Sequence, residues 1–289
     1  MNTLTMHKPA PELSHERMTC MEVWGGNRST WSDFVVPGLD IWVYSQPFEN
    51  DDVGGDVYYL SSCASGRITR LLLGDVSGHG SEASETSAEL HRIMQRNVNF
   101  IDQSRMVDSL NQQFERAASD GRFATALIGT YFAPTRKMTL CSAGHPPPLI
   151  FSSVTREWTP HTSGEQGGQR QPNVPFGVIG EQKFRSTSQK LHPGDMVLAC
   201  TDSLYEAVDE NGSMLGATGL AKVAESVALT SPEDFVPAIL TKIREINPNN
   251  LTLDDTTLVL LRANEERVSL KDNLLAPFRL LSGLIHHSD

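Results

Sequence analysis

The sequence predicts an α+β protein of layered sheets with helices on the outside, and three observations carry that expectation. Short β-rich runs recur from Leu39 onward: LDIWVYSQ, DVYYLSS, ITRLLLGDV, FATALIGTYF, KMTLCSAG, PPLIFSS, DMVLACTD and TTLVLLR, several ending in Gly, Pro or Asp. Two helical stretches sit together between the third and fourth runs, and a second helical block separates the last two. Strands in series with helices inserted in blocks, rather than strict strand–helix alternation, are the pattern of segregated layers.

The helices follow from apolar spacing. Leu90, Ile93, Met94 and Val98 recur at helical intervals over about 81–99, as do Val107, Leu110 and Phe114 over about 103–118. In the later block, about 203–246, Leu220, Val223 and Val227 form one stripe and Phe235, Ile239 and Ile243 another, with Ser231-Pro232-Glu233 reading as a helix start. Residues 1–38 are polar and mixed, with Gly25, Gly26 and Pro37 interrupting any period, and are assigned to an N-terminal extension. The main domain is placed at 39–264 and a tail at 265–289. In the tail Leu274, Phe278, Leu281 and Ile285 have amphipathic-helix spacing despite Pro277. A helix docked on its own domain is the plainer reading, ahead of one that takes a partner.

Bulk properties narrow the function classes. With 289 residues, 39% hydrophobic and 20% charged, the chain can bury a substantial core. No run approaches the roughly 18–20 apolar residues of a membrane span, and the opening MNTLTMHKPAPELSHERM lacks the apolar centre of a secretory signal, so the expected location is the cytoplasm. A formal net charge of −11 argues against a nucleic-acid partner, since phosphates demand an excess of Lys and Arg. Cys20, Cys63, Cys141 and Cys200 form no CxxC pair and read as reduced thiols.

The chemistry lies in aspartates at strand ends. Asp56 opens one strand after Gly54-Gly55, Asp75 closes the next in LLLGDVSGHG, Asp202 closes MVLACTD, and Asp254-Asp255 precede TTLVLLR. If Ala64 to Arg67 form a hairpin turn, residues whose numbers sum to 131 face each other, which sets Asp56 opposite Asp75. Opposed positions in an antiparallel pair lie ~4.5–5.5 Å apart at Cα, and like charges there repel. Hard divalent cations compensate such repulsion, and oxygen-only donors favour Mg²⁺ or Mn²⁺ over zinc. The glycines around Asp56 and Asp75 allow close backbone approach, so the Val76 carbonyl is a further candidate ligand. His79 is a candidate proton donor to a leaving serine oxygen, or else orients a ligand or caps the turn. His145 in SAGHPPPLI reads as ordering a proline-rich loop. No Walker loop, dinucleotide fingerprint, HExxH or GxSxG elbow is present.

Taken in order, VGGDVYYL, LLLGDVSGHGSEAS, CSAGHPPPLIF, VPFGV, LHPGDMVLACTDSLYEAVDENGSMLG and DDTTLVLLR resemble the SpoIIE-type branch of the metal-dependent, protein phosphatase 2C-like serine/threonine phosphatases, over about residues 39–263. The resemblance implies a four-layer α-β-β-α sandwich of antiparallel sheets flanked by helices, with two divalent cations, Mn²⁺ or Mg²⁺, in a cleft at one edge. Asp56 and Asp75 would hold the pair with the Val76 carbonyl assisting. Asp202 and Asp254 would complete the set, with Asp255 behind Asp254 as a candidate. A water activated by the metals would attack phosphoserine or phosphothreonine. The implied partner is a phosphorylated regulatory protein of the anti-sigma-factor-antagonist kind. Two positions depart from the family pattern: Ser203 stands where TDG is usual, and Tyr59 where a second acid usually follows the GGD aspartate. The competing class is a phosphatase fold that only sequesters a phosphoprotein, against which the retained acids speak; a hydrolase of small phosphoesters ranks lower.

Overall fold

In the central strands neighbouring side chains are buried in alternate directions, and this doubles the layers of the molecule. The computed structural model describes residues 14–17, 22–48, 51–64, 66–78, 80–118, 121–161, 173–229 and 231–266. Its strands are β1 (Ser14–Arg17), β2 (Glu22–Gly26), β3 (Thr30–Val36), β4 (Leu39–Gln46), β5 (Asp56–Cys63), β6 (Ile68–Val76), β7 (Ala124–Phe132), β8 (Lys137–Ala143), β9 (Leu149–Phe151), β10 (Trp158–Pro160), β11 (Thr187–Lys190), β12 (Met196–Cys200) and β13 (Thr256–Ala263). Its helices are α1 (Ser81–Asn97), α2 (Gln103–Ala117), α3 (Asp202–Glu206), α4 (Gly216–Ser226) and α5 (Pro232–Ile246).

One sheet runs β1-β3-β4-β13-β12-β9-β10 and the other β11-β8-β7-β6-β5-β2. All pairings are antiparallel except that of β1 with β3. Tyr58, Leu60, Leu71 and Leu73 of the second sheet meet Ile41, Val43, Val197, Ala199, Val259 and Leu261 of the first, forming the inter-sheet core. The alternate residues Val57, Tyr59, Leu72, Ala126 and Ile128 face α1 and α2 through Leu90, Ile93, Val107, Leu110 and Phe114. On the far side Trp42, Leu198, Leu258 and Leu260 pack against Leu220, Val223, Phe235, Ile239 and Ile243 of α4 and α5. This is the α-β-β-α sandwich expected, and burial of both strand faces explains why β6, β12 and β13 read as unbroken apolar runs rather than alternating ones.

The helical block expected at 203–246 resolves into α3, α4 and α5, with Ser231 accepting the Asp234 N–H as the N-cap ahead of Pro232. The region assigned to an N-terminal extension supplies strands to both sheets: β2 pairs with β5 and β3 with β4. Cys141 and Cys200 are free thiols buried in strands; Cys20 lies outside the described residues. So do Leu274, Phe278, Leu281 and Ile285 of the tail. Among the described residues no helix is long and apolar enough to cross a membrane.

Candidate metal centre

The β5–β6 hairpin has the register expected from its turn. Cys63 pairs with Ile68, every opposed pair sums to 131, and Asp56 stands directly across from Asp75. On the other side of β6, Thr125 is the cross-strand neighbour of Asp75. Asp202 opens α3 immediately after β12, and Asp254 lies two residues before β13. Since β12 and β13 are adjacent in the first sheet and β5 and β6 in the second, sheet packing brings four chain segments to one edge of the sandwich.

The carboxylates are buried and raise one another's pKa. Asp56 is 4% exposed, and its pKa is pushed well up, first by burial and then by the charges of Asp75 and Asp255. Hydrogen bonding from Thr201 works the other way: its hydroxyl donates to Asp56 Oδ2 at 2.8 Å while its oxygen accepts the Thr257 N–H at 3.1 Å. Asp75 is pushed up to about 7 by burial, followed by Asp202, Asp254, Asp255 and Glu206. Burial raises Asp202, with Glu206 adding to it. Burial likewise raises Asp254; the Asp255 backbone N–H, which donates to Asp254 Oδ1 at 2.8 Å, opposes this, while the charges of Asp202 and Asp255 reinforce it. Mutual repulsion of this kind is relieved by a shared cation.

Asp255 is engaged differently from the other acids. Its Oδ1 accepts the Phe48 N–H at 2.6 Å, and its Oδ2 accepts the N–H groups of Gly55 at 2.5 Å and Asp56 at 3.1 Å. A Cβ on Gly54 would collide with this carboxylate, which is why the turn before Asp56 carries glycine there. Asp255 therefore anchors the Gly54-Gly55 turn, while the charge of Asp202 raises Asp254. The Val76 carbonyl lies beside Gly55, at 3.2 Å from where a Cβ would stand, within the same group of loops.

The donor chemistry fits a hard divalent cation, being oxygen-only and anionic. Among the described residues no group of three acidic, histidine or cysteine side chains already converges as a metal cage. His79 lies outside the described residues.

Other residues emerge only in three dimensions. Glu206 sits one helical turn after Asp202 on α3, and the i, i+4 spacing was the one signal that could have found it. Thr201, fully buried, precedes Asp202 as an N-cap but spends its hydroxyl on Asp56 rather than on α3. Asn27, from the region read as an extension, reaches the Gly54 turn and α1 with Ser84 and Ser87. His145 orders its loop as expected: its carbonyl accepts the Ser142 hydroxyl at 2.7 Å, and its Nδ1 contacts Thr125 Oγ1 at 3.0 Å. Burial pushes its pKa to about 3, so it is neutral; the Cys200 backbone pulls the other way, although Nε2 makes no hydrogen bond of good geometry.

The departures from the family pattern also find places. Tyr59 is an odd-numbered residue of β5 and points into the helix layer against His91, ring centroids 5.4 Å apart, on the opposite face from Asp56. It removes no group from beside the Asp56 carboxylate. Ser203 is buried in the first turn of α3 with its hydroxyl unpaired.

A family model for Stage II sporulation protein E (SpoIIE) matches residues 65–264. The phosphoserine phosphatase RsbU of Bacillus subtilis (strain 168) is 25% identical over 260 residues, covering 89% of this chain and 73% of that protein. The PP2C phosphatase domain of SpoIIE from Bacillus subtilis, solved with a fragment of its regulatory domain, has a TM-score of 0.64 at 15% identity; the match covers 85% of this chain and 64% of that one, just under two thirds of its length. RsbX in complex with magnesium has a TM-score of 0.60 at 18% identity, over 81% of this chain and 100% of that one. The last two likenesses show the fold, and the family match extends over most of the chain that builds it. With opposed aspartates on one sheet, a third and fourth at the ends of strands of the other, and helices outside both, the chain belongs to the SpoIIE family and has the fold of a PP2C phosphatase domain.

Proposed function

We propose that the protein hydrolyses phosphoserine or phosphothreonine on a regulatory protein, with Asp56, Asp75, Asp202 and Asp254 holding a pair of divalent cations and the Val76 carbonyl assisting. The observation that carries this reading is the cross-strand opposition of Asp56 and Asp75, faced by Asp202 and Asp254 from the other sheet, with each of the four pushed up in pKa by burial. When bound, the cations supply an activated water and neutralise charge on the phosphate oxygens.

The chain's own residues prepare the site. The Thr201 hydroxyl fixes one oxygen of Asp56. Asp255 holds the Gly54-Gly55 turn through three backbone N–H groups, which sets where Asp56 begins β5. Glu206 adds negative field at Asp75 and Asp202, raising the local attraction for cations. Mn²⁺ and Mg²⁺ suit this donor set equally well. His79 is retained as the candidate proton donor to the leaving oxygen. A phosphorylated anti-sigma-factor antagonist is the substrate that the family resemblance suggests, and the free thiols Cys141 and Cys200 accord with a reducing compartment, the cytoplasm.

The test is hydrolysis of p-nitrophenyl phosphate and of a phosphoserine peptide by purified protein with Mn²⁺, Mg²⁺ or EDTA, alongside Asp75→Asn and Asp202→Asn. Turnover that needs metal and is lost in EDTA and in both variants is expected. No turnover on either substrate in metal-replete protein would overturn the enzyme reading in favour of a module that only binds a phosphoprotein.

A further inference from the structure

Asn27 belongs to a segment that precedes the matched region, yet it is 9% exposed and its carboxamide is aimed into the metal loops. Its Nδ2 lies within hydrogen-bonding distance of Gly54 O (3.1 Å), Ser84 O (3.1 Å), Ser84 Oγ (3.0 Å) and Ser87 Oγ (2.9 Å). An amide nitrogen has two hydrogens, so four acceptors share them. The backbone closes the same contact from the other side, with the Gly54 N–H donating to Asn27 O at 2.8 Å. The Ser87 hydroxyl adds a bond to Gly54 O at 3.1 Å.

These partners come from two places. Gly54 leads into Asp56 at the start of β5, whereas Ser84 and Ser87 lie in the opening turns of α1, which follows Asp75 and Val76 by a short loop. On its other side the Gly54-Gly55 turn rests on Asp255. The turn is therefore clamped between Asp255 and Asn27, and Asn27 together with the Ser87 hydroxyl joins it to the helix that follows Asp75.

We propose that Asn27 is a positioning residue that sets the distance between the Asp56 loop and the start of α1, and thereby the affinity of the carboxylate ring for divalent cations. This rests on the metal-dependent reading above. A donor is essential there, because every group facing Nδ2 includes an acceptor oxygen; an isosteric carboxylate would repel the Gly54 and Ser84 carbonyls.

The experiment is Mn²⁺ titration by isothermal calorimetry, with thermal melts in EDTA, on the full chain and on Asn27→Asp, Ser87→Ala and Asn97→Ala. Asn97 is a buried asparagine at the far end of α1, bonded to Ile93 O and to Ser109, roughly 20 Å along the helix from Ser84. It serves as the control for a purely structural loss. The expected result is a Kd for Mn²⁺ raised about tenfold or more in Asn27→Asp and severalfold in Ser87→Ala, with Asn97→Ala lowering the melting temperature at unchanged Kd. Unchanged Mn²⁺ affinity in Asn27→Asp overturns the inference, and if that variant does not fold, unchanged affinity in Ser87→Ala does so. Wild-type protein that takes up no Mn²⁺ would instead refute the metal-dependent reading itself.

Discussion

Replacing Asp75 with asparagine should stabilise the metal-free protein while removing its response to metal. In the fold Asp75 titrates at about 7, against 3.8 for an ordinary aspartate, because burial and four neighbouring carboxylates oppose its charge. A folded pKa above the unfolded one means that the native state holds a proton the unfolded chain has released. Stability is then full below pH 3.8, falls as pH rises toward 7, and stays low above it. The span from 3.8 to about 7 corresponds to roughly 4 kcal/mol at full burial, and to about 2–4 kcal/mol for a carboxyl at a partly hydrated rim. Asparagine carries no charge, so at pH 8 in EDTA Asp75→Asn should exceed wild type by that amount, a rise on the order of 5–10 °C in melting temperature. Asp56, Asp202 and Asp254 titrate in the same direction, so the diagnostic quantity is the difference between variant and wild type across pH 4–8, read by thermal melts. Added Mn²⁺ should raise the wild-type melting temperature and leave the variant unmoved. A variant no more stable than wild type at pH 8 without metal would refute the claim that these carboxylates repel one another.

Asp255→Ala should cost about 2–4 kcal/mol of stability even in EDTA, since three backbone N–H groups lose a charged acceptor; urea unfolding checks it, and a loss confined to metal-replete protein would mean Asp255 is a ligand rather than an anchor. Glu206→Gln should lower the pH midpoint of Mn²⁺ binding, because the charge that raises Asp75 and Asp202 is gone, and should weaken binding at pH 8; calorimetry at several pH values reads both. Tyr59→Phe should leave turnover and Mn²⁺ affinity within about twofold, as its ring faces His91 and not Asp56, and a large drop in either would place the hydroxyl in the site.

Where the chain is buried on both sides, its local pattern was enough to read. LDIWVYSQ and ITRLLLGDV match β4 and β6 residue for residue, because a strand covered on two faces has no reason to interrupt its apolar run. β1, β2, β3, β10 and β11 were harder to see: four are edge or near-edge strands of three to five residues, and β3, TWSDFVV, mixes polar and apolar positions. Their pairing is supplied by the neighbouring strand and not by their own composition.

The opposition of Asp56 and Asp75 was legible in the sequence once the turn is placed at Ala64 to Arg67, because the contact is local, and the observed register agrees with that placement. The nature of the donors, all oxygen, was equally a property of composition. What only the tertiary structure decided is that Asp255 of the Asp254-Asp255 pair holds a turn, and that Thr201, Glu206 and Asn27 lie beside the aspartates at all. Those contacts join residues far apart in the chain, Thr201 to Asp56 and Asn27 to Ser84 among them, through the packing of two sheets and a helix. No single element encodes them, because each depends on where another element's backbone comes to rest.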